Sequence, residues 1–285
     1  MTVPPQALAL SSALCTASAT LLIQRGLQRS NFYAGAWINV VVGAVAAWSA
    51  TLVLVPWHAY TWRSVPYFVF SGVVGTAGGR LFRVLAIQKV GAPVAAAVNN
   101  LAPLVATGLA ILLLGEHVTL PILGGTLVIV FGTIMLSLSG RYVGFRVLDL
   151  AYPFIAASCF GTVAIVRKIG LSSAGPLFDA AVNVTAALIA STTFLLASGN
   201  LGALRVDRRS VGWFVGGGIA ENSGVFLVLL ALGGGDVSVV IPLAGTAPLF
   251  VLLITYFLPG QASRLHWRLV LGSVLIVLGV MVLTR

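Results

Sequence analysis

The sequence predicts an all-α membrane protein, with ten transmembrane helices arranged as a 5+5 inverted-topology repeat around a central cavity. Three observations predict it. Of 285 residues, 59% are hydrophobic and only 8% charged, with a mean hydropathy of +1.07, whereas an ordinary soluble domain is about a quarter charged. Apolar runs long enough to cross roughly 30 Å of hydrocarbon recur down the whole chain. Segments of the first half also return in the second at a near-constant offset.

In chain order the spans fall near 7–23, 36–56, 66–87, 92–114, 118–139, 150–166, 176–198, 211–232, 237–258 and 267–284. The longest connections, 57–65, 140–149 and 199–210, are too short to fold alone, so no soluble catalytic or regulatory domain is expected. The first apolar run lacks the basic n-region of a signal peptide and counts as helix one. Cys15 and Cys159 fall within spans without a CxxC pair or metal-type spacing, and read as packing residues. A formal charge of +10 invites a nucleic-acid reading, but the arginines are scattered over short loops, as expected for loops meeting anionic headgroups. Neither nucleic acid, a metal nor a cofactor is therefore expected.

The repeat is clearest between "GTLVIVFGTIML" (125–136) and "GSVLIVLGVMVL" (272–283), which agree at five of twelve positions and keep two glycines seven apart. At an offset of 145, "LAPL" (101–104) meets "TAPL" (246–249), and Leu85-Ala86 meet Leu230-Ala231. At 144, Cys15 meets Cys159, Gly26-Leu27 meet Gly170-Leu171, and Asn39 meets Asn183. The halves are then 1–139 and 150–285, joined by a loop at 140–149. Each holds five spans, and an odd number makes the second half enter the membrane from the opposite side. Such repeats hold a substrate near the bilayer midplane, at the interface of the halves, and alternate its access by rocking one half on the other.

The segments "GTAGG" and "VLAIQKVGA" of span three, "LAPLVATGLAILLLGE" of span four, the "GTLVIVFGTIML" ending and their weaker copies at 231–249 and 272–283 resemble the drug/metabolite transporter superfamily, in its ten-helix EamA-like branch. The resemblance covers essentially the whole chain. It implies a secondary transporter, commonly an exporter or exchanger of metabolites, with a cavity lined by helices three and four and their partners eight and nine. Small multidrug members of the superfamily exchange protons for cations through a glutamate in the first helix. Span one here has no acid, and Glu116 is the first in the chain, so a copy of that mechanism is not expected.

Ionisable residues inside a membrane are costly unless they face protein or water, which makes them candidates for function. With span three centred near residue 77, Arg80 lies about 5 Å and Arg83 about 9 Å from the midplane. Snorkelling to the interface explains Arg83 comfortably and Arg80 poorly. A guanidinium offers a fork of donors matched to carboxylate or phosphate, so a cavity arginine argues for a substrate with an anionic group. Glu221 of span eight either neutralises Arg80, binds a substrate amine or carries a coupling proton, with Asn222 and Ser223 beside it as neutral hydrogen-bonding groups. Span four carries Pro93, Asn99, Asn100 and Pro103, and span nine carries Ser238, Pro242, Thr246 and Pro248. Proline frees helix carbonyls, and the matched pair Pro103/Pro248 marks discontinuous helices of the kind that build transport sites. The candidate substrate-binding residues are thus Arg80, Arg83, Asn99, Asn100, Glu221, Asn222 and Ser238, with Pro103, Pro242 and Pro248 as helix breaks or gates. Asn39 and Asn183 read as glue between helices, and Asp179 as a helix cap.

The leading function is secondary transport, by export or exchange, of a small metabolite bearing a carboxylate or phosphate, such as an amino acid. Two alternatives stay open: export of amphipathic cations with Glu221 as the contact, and flipping of a lipid-linked headgroup, favoured if the cavity opens sideways. An enzyme is not expected, because His58, His117 and His266 lie at span ends or in loops and no HExxH, paired carboxylate or nucleophile elbow is present. The expected partners are a small-molecule substrate, membrane lipids and a coupling proton or counter-substrate, in a monomer or homodimer of a prokaryotic cytoplasmic membrane. Counting Arg63, Arg167, Lys168 and Arg285 on the terminal side against ten basic residues on the other places the termini outside. The family resemblance implies termini inside.

Overall fold

The computed structural model describes residues 3–56, 62–90, 92–137, 146–171, 175–199, 202, 204, 206–257 and 267–284. Among them are ten helical stretches: α1 (Pro5–Leu27), α2 (Phe32–Leu54), α3 (65–90), α4 (92–114), α5 (Leu120–Ser137), α6 (Val147–Leu171), α7 (Pro176–Ala197), α8 (Arg208–Gly234), α9 (Val237–Phe257) and α10 (Trp267–Leu283). Seven are long and apolar enough to cross a membrane, and α5 and α10 contain the shorter apolar stretches Leu120–Leu136 and Val270–Leu283. The remaining helix, α3, carries Arg80 and Arg83. His58, His266, Arg141, Arg205, Arg264 and Arg285 lie outside the described residues, as does most of the 140–149 connection.

Without water in the bilayer core, each segment must satisfy its own backbone, so apolar runs of this length become helices. Local residues set their ends. Pro5 and Pro176 stand in the first turns of α1 and α7, where a missing N–H is harmless. Asn31 caps α2 by accepting the Ala34 N–H at 2.9 Å. For α9 the cap comes from a distant residue: the Glu116 carboxylate accepts the N–H groups of Val237 at 2.8 Å and Ser238 at 3.0 Å.

The halves are related by a pseudo-two-fold axis, and the α5–α10 contact displays it. A methyl group at Gly132 would lie 2.7 Å from the Gly272 carbonyl oxygen, and one at Gly279 would lie 2.8 Å from that of Gly125. Because Gly125 and Gly132 are the repeat counterparts of Gly272 and Gly279, each contact maps onto the other when the halves are exchanged. Only glycine allows two membrane helices to touch backbone to backbone in this way. Helices α2 and α7 also cross antiparallel, tied by Trp48 Nε1 to Thr185 Oγ1 (2.8 Å) and Trp37 Nε1 to Thr192 Oγ1 (3.0 Å). Phe214 covers Gly26 at the end of α1, while Phe68 covers the matching Gly170 at the end of α6.

Both helices with proline pairs are interrupted at equivalent places. In α4 the helix breaks after Asn99 and resumes at Ala102; in α9 it breaks after Ala244 and resumes at Ala247. Pro103 and Pro248 supply no N–H to the carbonyls of Asn99 and Ala244, four residues back.

Three expectations need correction. First, α6 does not end at 166 but runs to Leu171, so Arg167 and Lys168 belong to the helix and not to a loop. They are tolerated because both are partnered: Lys168 Nζ donates to the carbonyls of Leu232 and Gly235, both at 2.7 Å, and Arg167 is bound inside the bundle. Second, Asp179 makes no cap bond at Gly175; its buried carboxylate accepts the Ser64 hydroxyl at 2.7 Å. Third, the offset between α3 and α8 is not constant. Ser64, Phe68 and Gly72 pair with Ser210, Phe214 and Gly218 at 146 residues, whereas Ala86 pairs with Ala231 at 145. The extra residue is absorbed where Ser71–Gly79 winds as a π-helix, while α8 is α-helical throughout.

Candidate functional site

A central cavity of about 300 Å³ lies between α1, α3, α4, α5, α6, α8 and α9. The inserted π-turn residue advances everything after it by about 100° around the α3 axis, and Arg80 is the first residue beyond that segment. Arg80 reaches across to α8, where its Nη2 donates to Glu221 Oε1 at 2.7 Å, with side chains 17% and 23% exposed. Its Nη1 donates to Asn39 Oδ1 at 3.3 Å, and Asn39 Nδ2 donates to Glu221 Oε2 at 2.6 Å. Asn222 completes this group from α8, its Nδ2 donating to the Asn39 carbonyl at 3.1 Å and the Gly218 carbonyl at 2.7 Å. The result is a closed, charge-neutral knot joining α2, α3 and α8.

A second knot joins α3, α6 and α7. Arg167 Nε donates to Ser71 Oγ at 2.7 Å and its Nη2 to Asn183 Oδ1 at 3.4 Å. Ser71 donates to the same Asn183 oxygen at 2.7 Å, and Asn183 Nδ2 donates to Thr76 Oγ1 at 3.3 Å. All of Arg167's partners here are neutral. Arg83, one turn beyond Arg80, has no hydrogen bond or ion pair among the described residues. Among the described residues, three guanidinium groups (Arg80, Arg83 and Arg167) thus line the cavity against one carboxylate, Glu221, and two positive charges stay uncompensated.

Asn99, Asn100 and Pro103 also line the cavity, as do Ala244 and Gly245 at the break in α9. The freed carbonyls therefore belong to residues that face an open space, which is where a membrane protein can tolerate them. Asn99 Oδ1 is buried without a hydrogen-bond partner among the described residues, an acceptor left for a ligand or water.

The chain matches the family model described as the EamA-like transporter family twice, over residues 5–138 and 150–285. The chain belongs to the EamA-like transporter family. Members of this family are transporters rather than enzymes, so this EamA-like protein is a multi-pass membrane transporter with a small-molecule substrate. No curated protein matches it in sequence. A protein of known crystal structure superposes with a TM-score of 0.78 over 98% of this chain and 95% of its own, at 18% identity, a likeness that concerns the fold alone.

Of the residues singled out in this EamA-like chain, Arg80, Arg83, Asn99, Asn100, Glu221 and Pro103 meet at the cavity. Asn222 stands behind it, in the Asn39 knot. Ser238 lies buried at the start of α9, its N–H held by Glu116, and Pro242 is buried within α9; neither lines the cavity, nor does Pro248. Sequence reading missed Arg167, because the span was ended one residue short of it. The missed signal was the matched Gly-Leu dipeptide: Gly26-Leu27 and Gly170-Leu171 are the last residues of α1 and α6. Had both spans been carried to the repeat, Arg167 would have stood inside a helix.

Proposed function

We propose that this protein is a secondary transporter of a small metabolite with a carboxylate or phosphate group, exported or exchanged by alternating access of the central cavity. The observation that carries this reading is the charge of that cavity, with two guanidinium groups in excess of the single carboxylate. Arg167, whose hydrogen-bond partners are neutral, and the unpaired Arg83 are the anion contacts, and a guanidinium fork matches carboxylate or phosphate geometry. Arg80 is held by Glu221 and forms the fixed wall between them. Asn99 Oδ1 suits a substrate N–H, which makes an amino acid a good fit, and about 300 Å³ is the small end of ligand sites. An excess of positive charge disfavours the amphipathic-cation alternative.

A second groove favours a variant of this reading. It occupies about 240 Å³ between α2, α3 and α7, is walled by Phe32, Tyr33, Trp37 and Phe194, and shares Thr76 and Arg80 with the central cavity. An acidic headgroup at the arginines with an apolar tail in this sideways groove is the arrangement a lipid-linked substrate would need. The protein's place is the cytoplasmic membrane of a prokaryote. With Arg167 and Lys168 removed from the loop tally, the charge asymmetry grows, which supports termini on the outer side.

The test is thermal unfolding of the purified protein with amino acids, carboxylates, phosphates, amphiphilic acids and organic cations, for wild type and Arg167→Ala. A ligand at about 100 times its dissociation constant stabilises by roughly 2.7 kcal/mol. We expect an anionic or zwitterionic compound to raise the unfolding temperature of wild type and not of the variant. Stabilisation by cations alone, equal in both proteins, would overturn the reading, and stabilisation by acids only when they carry a long apolar tail would select the lipid-linked variant.

A further inference from the structure

Away from the central cavity, the end of α1 and the start of α8 enclose a cleft of about 400 Å³ lined by Arg25, Gln28, Arg29, Arg209, Ser210 and Trp213. It lies at the opposite end of the bundle from the chain termini. The Arg25 guanidinium stands over the Trp213 ring, 5.1 Å from its centroid. Neither Arg29 nor Arg209 makes a side-chain hydrogen bond or ion pair among the described residues. No acid lines the cleft; Asp207, the nearest in sequence to Arg209, is exposed at the start of α8. Three like charges gathered without a carboxylate repel one another unless an anion joins them.

We propose that this cleft binds the phosphate of an anionic phospholipid. The depth is right, since the cleft sits where membrane helices end and headgroups begin, with Trp213 as the amphipathic ring favoured at that boundary. The chemistry is right as well, because basic pockets between helices at the membrane surface are phospholipid headgroup sites. The start of α8 adds its positive dipole end.

The fold itself does not require these arginines. The other half presents the same joint at the start of α3 and the end of α6, in a register fixed by the buried pairs Ser64/Ser210 and Phe68/Phe214. There the counterparts of Arg25, Arg29 and Trp213 are Ile169, Ser173 and Tyr67, and only Arg209 has a basic counterpart, Arg63. The joint closes without the cluster, so the cluster serves something outside the protein. A phosphate held by Arg25 and Arg29 of the first half and Arg209 of the second would bridge the two halves at one end, where they must separate during transport.

The experiment measures thermal unfolding of the full-length protein in detergent with added phosphatidylglycerol, phosphatidylcholine or inorganic phosphate. We expect phosphatidylglycerol alone to raise the unfolding temperature, by several degrees. The exposed-residue variant Arg29→Gln/Arg209→Gln should start from the same temperature and lose most of that rise, with Arg209→Gln alone as a milder check. Arg167→Ala, which alters the central cavity, should keep the rise and so separates this site from the substrate site. An equal rise with phosphatidylcholine, a rise retained by the double variant, or a rise reproduced by inorganic phosphate would each overturn the proposal.

Discussion

Asn39 and Asn183 hold equivalent places in α2 and α7, and each is a buried amide tied to the opposite half, yet the charges around them differ. Asn39 binds Glu221 and Arg80, whose charges cancel at 2.7 Å. Asn183 binds Thr76, the counterpart of Glu221, and Arg167, whose charge nothing cancels. The contrast extends one turn away. Ile23, the counterpart of Arg167, packs on Gly217, while Arg167 itself is hydrogen-bonded to Ser71, the counterpart of Gly217. The scaffold is duplicated and the charges are not. An apolar contact that suffices to hold α1 against α8 has been replaced, between α6 and α3, by a cation with neutral partners, and structure alone gives no reason for that exchange.

The sharpest way to break the comparison is to uncouple the neutral knot. Glu221→Leu leaves Arg80 without its counter-charge, and removing one partner of a buried pair costs about 3 kcal/mol, toward the low end because both groups keep some solvent contact. We expect a large fall in unfolding temperature, mostly recovered in the Arg80→Leu/Glu221→Leu double variant. A fall no larger than that of Asn222→Leu would show that the pair is not a structural unit. The next test makes the two knots alike. Thr76→Glu places a carboxylate beside Asn183 as Glu221 stands beside Asn39, and it should pair with Arg167. Stability should hold or rise, while affinity for an anionic ligand should fall by about tenfold, or about 1.4 kcal/mol. Unchanged affinity in a ligand titration would remove Arg167 from the binding site.

What the sequence made legible followed from periodicities that survive substitution. Apolar length located the helices, the paired prolines located both breaks, and the glycines seven apart marked α5 and α10 as copies of one another. Arg80 and Glu221 could be read as candidates because a charge within twenty apolar residues stands out. Arg167 could not, since it stands next to Lys168 near the end of its apolar run, where hydropathy ends a span whether or not the helix continues. The extra residue in α3 was also hidden: glycine-rich sequence matches itself at 145 or 146 equally well, and only the π-winding of Ser71–Gly79 shows where the register slips. The partners of Glu116 were hidden as well, because the N–H groups of Val237 and Ser238 are 121 and 122 residues away in sequence.

The ends of the bundle repeat the asymmetry on a smaller scale. At the terminal end, Lys168 binds the last carbonyls of α8 and Glu116 the first N–H groups of α9, so that two charged side chains clamp the α8–α9 turn. In sequence their counterparts in the other half are Gln24 and Gln261, both neutral side chains, and neutral hydrogen bonds are roughly half as strong as charge-assisted ones. If rocking of the halves exchanges which end is clamped, the charged set favours the state closed at the terminal end. Lys168→Gln makes the α6 residue the same as its counterpart and should cost about 1 kcal/mol. Its signature is directional. In a Cys15→Ser/Cys159→Ser background, a Leu232→Cys reporter beside the clamp should react several-fold faster with a thiol reagent supplied from the terminal side. Gln24→Lys should also speed that same reaction, because strengthening the opposite clamp favours the state open at the terminal end. If both substitutions leave the labelling rate unchanged, the charges at the two ends do not set the balance between the states, and the asymmetry that matters is confined to the cavity.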